Sequence, residues 1–328
     1  MLKVYIFALK SMRKIYRTFF ASKLKEYDRG ISDPNKASDI IFELLSSGKP
    51  CMIARFGSTE LLAITNYLGV CEPQRSVWKY IQGKQFEWWW EEHIKEQMTQ
   101  WSGFFPSTNE NLMKFGKLFI EDCKQIDILG SWLENETTII NRIELNVQKI
   151  SLLFLEPYWS ENPWSRMLEG KNVLVIHPFA PLIEEQYSGK RALLFNNKNV
   201  LPKFNLKTIQ AVQSLGGDCE FNDWFEALDN MKAQMDQTDY DIALIGCGAY
   251  GFPLAAHAKR MGKQAIHLGG ALQLLFGIRG KRWDNPDYGI QEFGKQNTYK
   301  KLFNKEWIYP PADFAPKNAQ KVENACYW

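Results

Sequence analysis

One segment constrains the fold more than any other: a short apolar run that leads directly into a glycine-rich turn and then into a helical pattern. Residues 242–245 are all apolar, the next six read Gly-Cys-Gly-Ala-Tyr-Gly, and residues 252–261 have helical spacing. Glycines let a backbone turn sharply and approach a ligand closely, and the free N–H groups and dipole of a helix N-terminus favour phosphate. We therefore expect residues 241–270 to form a strand-turn-helix unit that holds a phosphate-bearing nucleotide.

Apolar runs and helical patterns alternate along most of the chain. Predicted strands are 51–54, 126–129, 150–155, 173–176 and 264–268, and predicted helices include 59–68, 206–215, closed by Gly216-Gly217, and 224–235. Such alternation favours a parallel, doubly wound sheet. We predict a Rossmann-like α/β domain over residues 31–308 with a mainly parallel sheet and helices on both faces, preceded by a basic amphipathic helix in residues 1–30 and followed by an irregular tail, 309–328.

The basic charge is concentrated at the N-terminus. Residues 1–30 hold eight Lys or Arg against two acidic residues, which leaves the remainder, with 32 basic and 35 acidic residues, at a net charge of −3. At helical spacing, one apolar stripe faces away from most of the cations; it consists of Val4, Ala8, Met12, Ile15 and Phe19. This pattern is typical of a helix on an anionic membrane surface, here through residues 1–25, and equally of one that docks on its own domain or a dimer partner. Nucleic acid is not expected as a partner, because the surplus is confined to the tail.

Localisation follows from two further features. No apolar stretch approaches the roughly 18 residues that span a bilayer, and the apolar run 4–9 is too short for a secretory signal. The six cysteines are scattered without a Cys-x-x-Cys pair, as in reduced proteins. We expect a cytoplasmic protein, which lies at the inner face of the membrane if its basic helix binds lipid rather than protein.

A second glycine pair reinforces the nucleotide interpretation. A nicotinamide cofactor needs a carboxylate roughly 20 residues after the first turn, whereas here the following strand ends His267-Leu-Gly-Gly and leads to a basic cluster. Two glycine turns and nearby cations suit a diphosphate. The expected nucleotide-binding residues are Gly246, Gly248, Tyr250, Gly251, His267, Gly269, Gly270, Arg279, Lys281 and Arg282. The alternative is that the glycines only permit close packing and the cations are solvated.

Three residues at strand ends are candidates for catalysis: Arg55, Glu60 and His177. Arg55 and Glu60 follow the first predicted strand, so both belong to the same carboxyl edge as the glycine turns, suited to phosphate binding and to metal ligation or base work. The alternative for Glu60 is a favourable interaction with the helix dipole, and for His177 a structural hydrogen bond. Tyr250 and Trp283 are candidates for stacking on a base or sugar, or for simple packing.

The residues 53–60, Ile-Ala-Arg-Phe-Gly-Ser-Thr-Glu, resemble the N-terminal signature of the GT-D-type glycosyltransferase family, an Arg-Phe/Tyr-Gly turn that runs into Asp-x-Glu. Residues 241–270 resemble the later nucleotide-side unit of that family. The resemblance implies sugar transfer from a nucleoside diphosphate sugar, of the hexosyltransferase kind, with Mn²⁺ or Mg²⁺ on the Asp-x-Glu pair. Ser58 stands at the Asp position, so Glu60 is the remaining metal ligand, and serine is a poor ligand for a hard dication.

The expected function is therefore transfer of a sugar to a surface polysaccharide or another glycan or lipid-linked acceptor. In this interpretation the basic cluster Arg279, Lys281 and Arg282 takes over part of the leaving-group stabilisation. Two alternatives remain. One is a Rossmann-type NAD- or S-adenosylmethionine-dependent enzyme, against which the missing ribose carboxylate counts. The other is a nucleotide-binding module without catalysis.

Overall fold

The computed structural model describes residues 2–20, 27–215, 219–315 and 325–328. One seven-stranded sheet, parallel at every described pairing, forms its centre, with the strand order β3-β2-β1-β7-β6-β4-β5. The strands are β1 (Cys51–Arg55), β2 (Ile128–Ser131), β3 (Gln148–Ser151), β4 (Asn172–His177), β5 (Asn205–Gln210), β6 (Ile242–Ile245) and β7 (Gln264–His267). The predicted doubly wound α/β class is confirmed.

Helices occupy most of the connections between strands. They are α1 (Leu2–Phe20), α2 (Pro34–Ser46), α3 (Ser58–Val70), α4 (Val77–Ile81), α5 (Glu92–Gln100), α6 (Asn109–Cys123), α7 (Glu136–Arg142), α8 (Ala180–Leu194), α9 (Trp224–Asp236), α10 (Gly251–Arg260), α11 (Leu272–Leu275), α12 (Lys281–Asp284) and α13 (Ile290–Phe293). In the described part of the chain, none of them combines the length and apolar character needed to cross a bilayer.

The sheet separates two apolar cores because successive strand residues face opposite sides. In β1, Met52 and Ala54 belong to the core that includes α3, α6 and α10, whereas Cys51 and Ile53 belong to the core that includes α2 and α8. A strand buried on both faces must be apolar throughout, which is why β1, β4 and β6 read as continuous apolar runs.

The strand order places a crevice at the middle of the sheet. From β1 the chain moves outward through β2 to β3, then crosses to β4 on the other half and returns through β6 to β7, which pairs with β1. Ligands of open α/β sheets bind where the strand order reverses, beside the carboxyl ends of the strands. Here that point lies between the ends of β1 and β7, at Arg55 and His267.

Two predicted elements differ from the structure. The segment 206–215, predicted as a helix, overlaps edge strand β5, which pairs with β4 from Asn172↔Asn205 to His177↔Gln210. Its mixed apolar and polar residues fit both the helical and the strand periodicity. The segment becomes a strand because it pairs with β4, a neighbour that is distant in sequence. Gly216 and Gly217 lie outside the described residues. The predicted strand 150–155 ends at Ser151 and continues as a 3₁₀ turn, Leu152–Leu155.

Candidate functional site

A cavity of about 240 Å³ opens at the carboxyl ends of β1, β4, β6 and β7. Most of the predicted site residues line it, although they come from distant parts of the chain. They are Arg55, Glu60, His177, Gly246, Gly248, Tyr250, His267, Gly269, Gly270 and Arg282. The parallel strands explain this convergence, because each strand delivers the residue that follows it to the same edge of the sheet.

The two glycine turns are in direct contact. A side-chain carbon at Gly246 would overlap the carbonyl oxygen of Gly269 and come within 3.0 Å of Leu272 Cβ. Gly248 and Gly269 have φ angles of +56° and +63°, in the left-handed region that favours glycine. At Gly248 the space beyond the backbone is open, with the Ser102 carbonyl oxygen at 3.7 Å as the nearest atom. The turns therefore present adjacent backbone to the cavity.

Arg55 ends β1 and supplies a positive charge to this cavity. Its half-buried guanidinium lies over the Trp132 ring, 5.1 Å from the ring centroid, and beside the Gly269 turn. Burial lowers the pKa of Arg55, and the neighbouring Tyr327 and Glu60 oppose this shift. No carboxylate of the described residues forms an ion pair with it. A partly desolvated cation without a close ion pair is energetically costly, and an anion next to Arg55 would lower that cost.

Glu60 lies in the first turn of α3, which starts at the end of β1. Its buried carboxylate folds back over Gly57, where any side-chain carbon would overlap Glu60 Oε2. Gly57 is thus required for this position of the carboxylate. Ser58, the residue at the Asp position of the family pattern, is exposed at the rim of the cavity.

The residues present do not fit the divalent cation that the resemblance implies. Across residues 2–20, 27–215, 219–315 and 325–328, no group of three or more His, Cys, Asp or Glu side chains converges as a metal site. Hard dications are held by several oxygen ligands, and Ser58 and Glu60 supply one hydroxyl and one carboxylate. No catalytic step is therefore assigned to a metal.

His177 ends β4 and is buried at the cavity wall. Its Nδ1 accepts a hydrogen bond of 3.0 Å from the Phe179 N–H, which assigns the proton of the neutral ring to Nε2. Burial lowers the pKa of His177 to about 3 and that of His267 also to about 3. A ring with so low a pKa is a poor base near neutral pH, so the geometry favours His177 as a neutral hydrogen-bond donor.

Three predicted binding residues do not line the cavity. Arg279 forms an ion pair of 2.8 Å with Asp284 and lies over the rings of Phe303 and Tyr309. Lys281 is exposed at the start of α12. Gly251 packs against the His267 ring, which a side chain there would overlap, so it serves the contact of α10 with β7.

The two aromatic residues proposed for stacking are occupied by packing. The Tyr250 ring stacks on Trp224 at 5.1 Å, its hydroxyl lies 2.7 Å from Ser214 Oγ, and Trp283 is buried. Trp101 and Trp132 line the cavity instead. Sequence reasoning missed both, because only tertiary packing distinguishes them from the other tryptophans.

The C-terminal residues also reach the cavity, which no sequence pattern indicated. Tyr327 and Trp328 line it, and the Tyr327 ring lies against Gly270 and beneath the Arg282 guanidinium, 4.5 Å from the ring centroid. Gln273 Nε2 donates a hydrogen bond of 3.1 Å to the Tyr327 carbonyl oxygen. These contacts reduce the space at the second glycine turn.

Comparison with known families identifies part of the chain. The model of the GT-D fold-like domain matches residues 138–275. These residues, which make up less than half of the chain, are similar to that domain. No curated protein matches the chain in sequence.

Two solved structures are similar to the chain. One is a selenomethionine-substituted domain of unknown function 1792, with a TM-score of 0.39, 12% identity and coverage of 86% of this chain and 91% of the other. The second is titled a new glycosyltransferase of the same domain family from Streptococcus sanguinis, with a TM-score of 0.32, 13% identity and coverage of 87% and 96%.

The GT-D-like match and the cavity overlap in part. The matched residues contain β4, β6, β7, His177 and both glycine turns, whereas Arg55 and Glu60 precede them and Arg282 follows them. The resemblance noted from the sequence is thus confirmed over residues 241–270, which lie inside the match.

A second, more open cleft of about 610 Å³ adjoins the cavity and shares Pro178, Val212 and Gln213 with it. Its walls carry polar and aromatic side chains, Gln210, Glu220, Asp313, Phe221 and Phe314. Aromatic faces combined with carboxylate and amide groups can bind the faces and the hydroxyl groups of a sugar. The cleft therefore presents polar and aromatic side chains next to the cavity.

Proposed function

We propose that the protein is a glycosyltransferase that moves a sugar from a nucleoside diphosphate sugar to a glycan or lipid-linked acceptor, such as a growing surface polysaccharide. The match of residues 138–275 to the GT-D fold-like domain supports sugar transfer. The observation that carries the proposal is Arg55, a cation without a carboxylate ion pair among the described residues, beside two touching glycine turns.

In this proposal the diphosphate of the donor binds across the two turns. Arg55 and Arg282 neutralise its charge, the backbone N–H groups of residues 247–249 and 269–270 approach its oxygens, and His177 donates from Nε2. These groups stabilise the transition state more than the bound substrate, because negative charge then accumulates on the departing nucleoside diphosphate. The fixed donors of this site suit that role because they need little reorganisation.

Glu60 is the proposed base. Its carboxylate takes the proton of the acceptor hydroxyl while that oxygen bonds to the anomeric carbon and the bond from that carbon to the phosphate oxygen breaks. The acceptor enters through the adjoining cleft, whose shared wall at Gln213 leads into the cavity. His177, with its pKa lowered to about 3 by burial, is the weaker candidate for this step.

Donor binding requires space beyond the inner cavity. Ligand pockets typically enclose roughly 300–1000 Å³, and the inner cavity measures about 240 Å³. The Tyr327 side chain against Gly270 is the group that an incoming diphosphate meets. We therefore propose that the sugar extends toward the adjoining cleft and that Tyr327 shifts when the donor binds.

The test measures release of nucleoside diphosphate from a panel of sugar nucleotides, with candidate acceptors, with and without Mn²⁺ or Mg²⁺. Wild-type protein is expected to release product from at least one donor. Glu60→Gln is expected to lose transfer while it keeps its unfolding temperature and donor affinity, because the amide preserves the shape but accepts no proton. Normal turnover by this variant would remove Glu60 from the chemistry. Thermal stabilisation by NAD or S-adenosylmethionine, with none by sugar nucleotides, would overturn the proposed function.

A further inference from the structure

The N-terminal helix carries an apolar stripe that does not face the protein. Among the stripe residues, Val4 is 72% exposed, Ile15 59% and Phe19 75%. Ala8 and Met12 are exposed on the same stripe. An exposed side chain of this kind is ordinary when isolated, but a contiguous apolar patch marks an interaction surface.

A different side of α1 holds the helix on the protein. Leu9 is buried, and ion pairs join Lys10 to Glu91 at 2.6 Å and Arg13 to Glu87 at 2.7 Å. The Tyr16 ring packs on a neighbouring ring of α4 at 5.9 Å. These contacts recur every three or four residues and fix the orientation of the helix. Docking on its own domain therefore does not cover the stripe.

Three further cations lie on a third side of α1, away from the stripe. Lys3, Lys14 and Arg17 are exposed, and none of them forms an ion pair with a carboxylate of the described residues. The helix contains no acidic residue. Phe7, on the same side of the helix as these cations, is 72% exposed, and Trp78 of α4, which packs against Tyr16, is 60% exposed. Aromatic rings of this type favour the interface between lipid headgroups and acyl chains.

We propose that α1 lies in the plane of an anionic membrane, with the stripe in the boundary between headgroups and acyl chains and Lys3, Lys14 and Arg17 among the lipid phosphates. Helices with a strongly basic side and a separate apolar side bind membranes in this way. A second copy of the chain fits less well, because it would bring a further set of cations and no acidic residue of α1 to the same surface. This inference goes beyond sugar transfer and is independent of it.

The experiment is co-sedimentation of the purified full chain with vesicles of phosphatidylcholine, with or without phosphatidylglycerol, and without any sugar nucleotide. Wild-type protein is expected to sediment with the anionic vesicles. Replacing Lys3, Lys14 and Arg17 together by Gln should weaken partitioning about 100-fold, because each cation near an anionic surface contributes about 1 kcal/mol, or about fivefold. Ile15→Glu, which places a charge in the apolar boundary, should lower it at least tenfold.

Leu193→Glu is the matched control, since Leu193 is an apolar side chain of α8 with 54% exposure, far from α1 in sequence. It should bind vesicles as wild type does, and all variants should keep the wild-type unfolding temperature. Equal binding of wild type and Ile15→Glu, or no binding to anionic vesicles, would overturn the proposal. So would a dimer in sedimentation velocity without lipid that Ile15→Glu dissociates. No sugar nucleotide is present, so either failure leaves the glycosyltransferase proposal untouched.

Discussion

Replacing Arg55 by Met tests whether the cavity binds an anion. Methionine keeps an unbranched side chain of similar reach but removes the charge, so binding of a nucleoside diphosphate should weaken. A hydrogen bond to a charged group contributes about 1.5–3 kcal/mol, which corresponds to a roughly 10- to 150-fold increase in Kd. Isothermal titration with a panel of nucleoside diphosphates measures this change.

The same substitution should not destabilise the free protein. Arg55 is half-buried and its pKa is lowered by burial, so its charge is partly desolvated in the absence of ligand. Removing such a charge relieves a penalty of up to several kcal/mol, while the lost contact with Trp132 contributes only about 0.5–1 kcal/mol. We expect the free energy of unfolding to rise by about 1 kcal/mol.

Arg279→Met is the matched control, because Arg279 has its own partner in Asp284 and does not line the cavity. It should lower stability by about 0.5–1 kcal/mol, as expected for a partly exposed ion pair, and leave nucleotide affinity unchanged. The reasoning is refuted if Arg55→Met binds nucleoside diphosphates as wild type does, or if Arg279→Met loses that binding instead.

Two further predictions concern the contact between the glycine turns and the protonation of Glu156, a buried carboxylate outside the cavity. Gly246→Ala should destabilise the protein by about 1–3 kcal/mol and weaken nucleotide binding, because the added methyl group overlaps the Gly269 carbonyl oxygen. Gly189→Ala is the control: Gly189 lies on an exposed face of α8 with open space beside it, so this substitution should neither destabilise the protein nor weaken binding. Equal thermal stability of the two variants would contradict the contact between the turns. Burial raises the pKa of Glu156 from 4.5 to about 7 in the folded protein. As pH rises, the unfolded chain therefore loses this proton before the folded protein does. The free energy of unfolding should fall by about 3 kcal/mol between about pH 4.5 and about pH 7. Glu156→Gln should flatten that fall in chemical denaturation followed across this pH range, and an unchanged profile would assign the pH dependence to other groups.

The local sequence pattern was sufficient to predict those elements whose conformation is fixed by their own residues. The strand Ile242–Ile245 and the turn and helix that follow lie where the sequence predicts them, since a fully buried parallel strand must be apolar and the turn requires glycine. The same holds for α1, where helical spacing alone defines the apolar stripe. The resemblance of residues 241–270 to a GT-D nucleotide-side unit depended on these local features.

Tertiary structure decided everything that depends on a partner distant in the chain. The edge strand β5 exists because β4 offers a row of backbone groups, a pairing that the pattern of residues 206–215 does not reveal. The sequence does not distinguish the two basic residues Arg279 and Arg282. In the structure Arg279 forms an ion pair with Asp284, whereas Arg282 lines the cavity. Tyr327 reaches the Gly270 turn only because the folded chain returns there. The physical reason is that hydrophobic periodicity and backbone propensity act over one or two turns, whereas charge partners and cavity walls are set by which elements the core brings together.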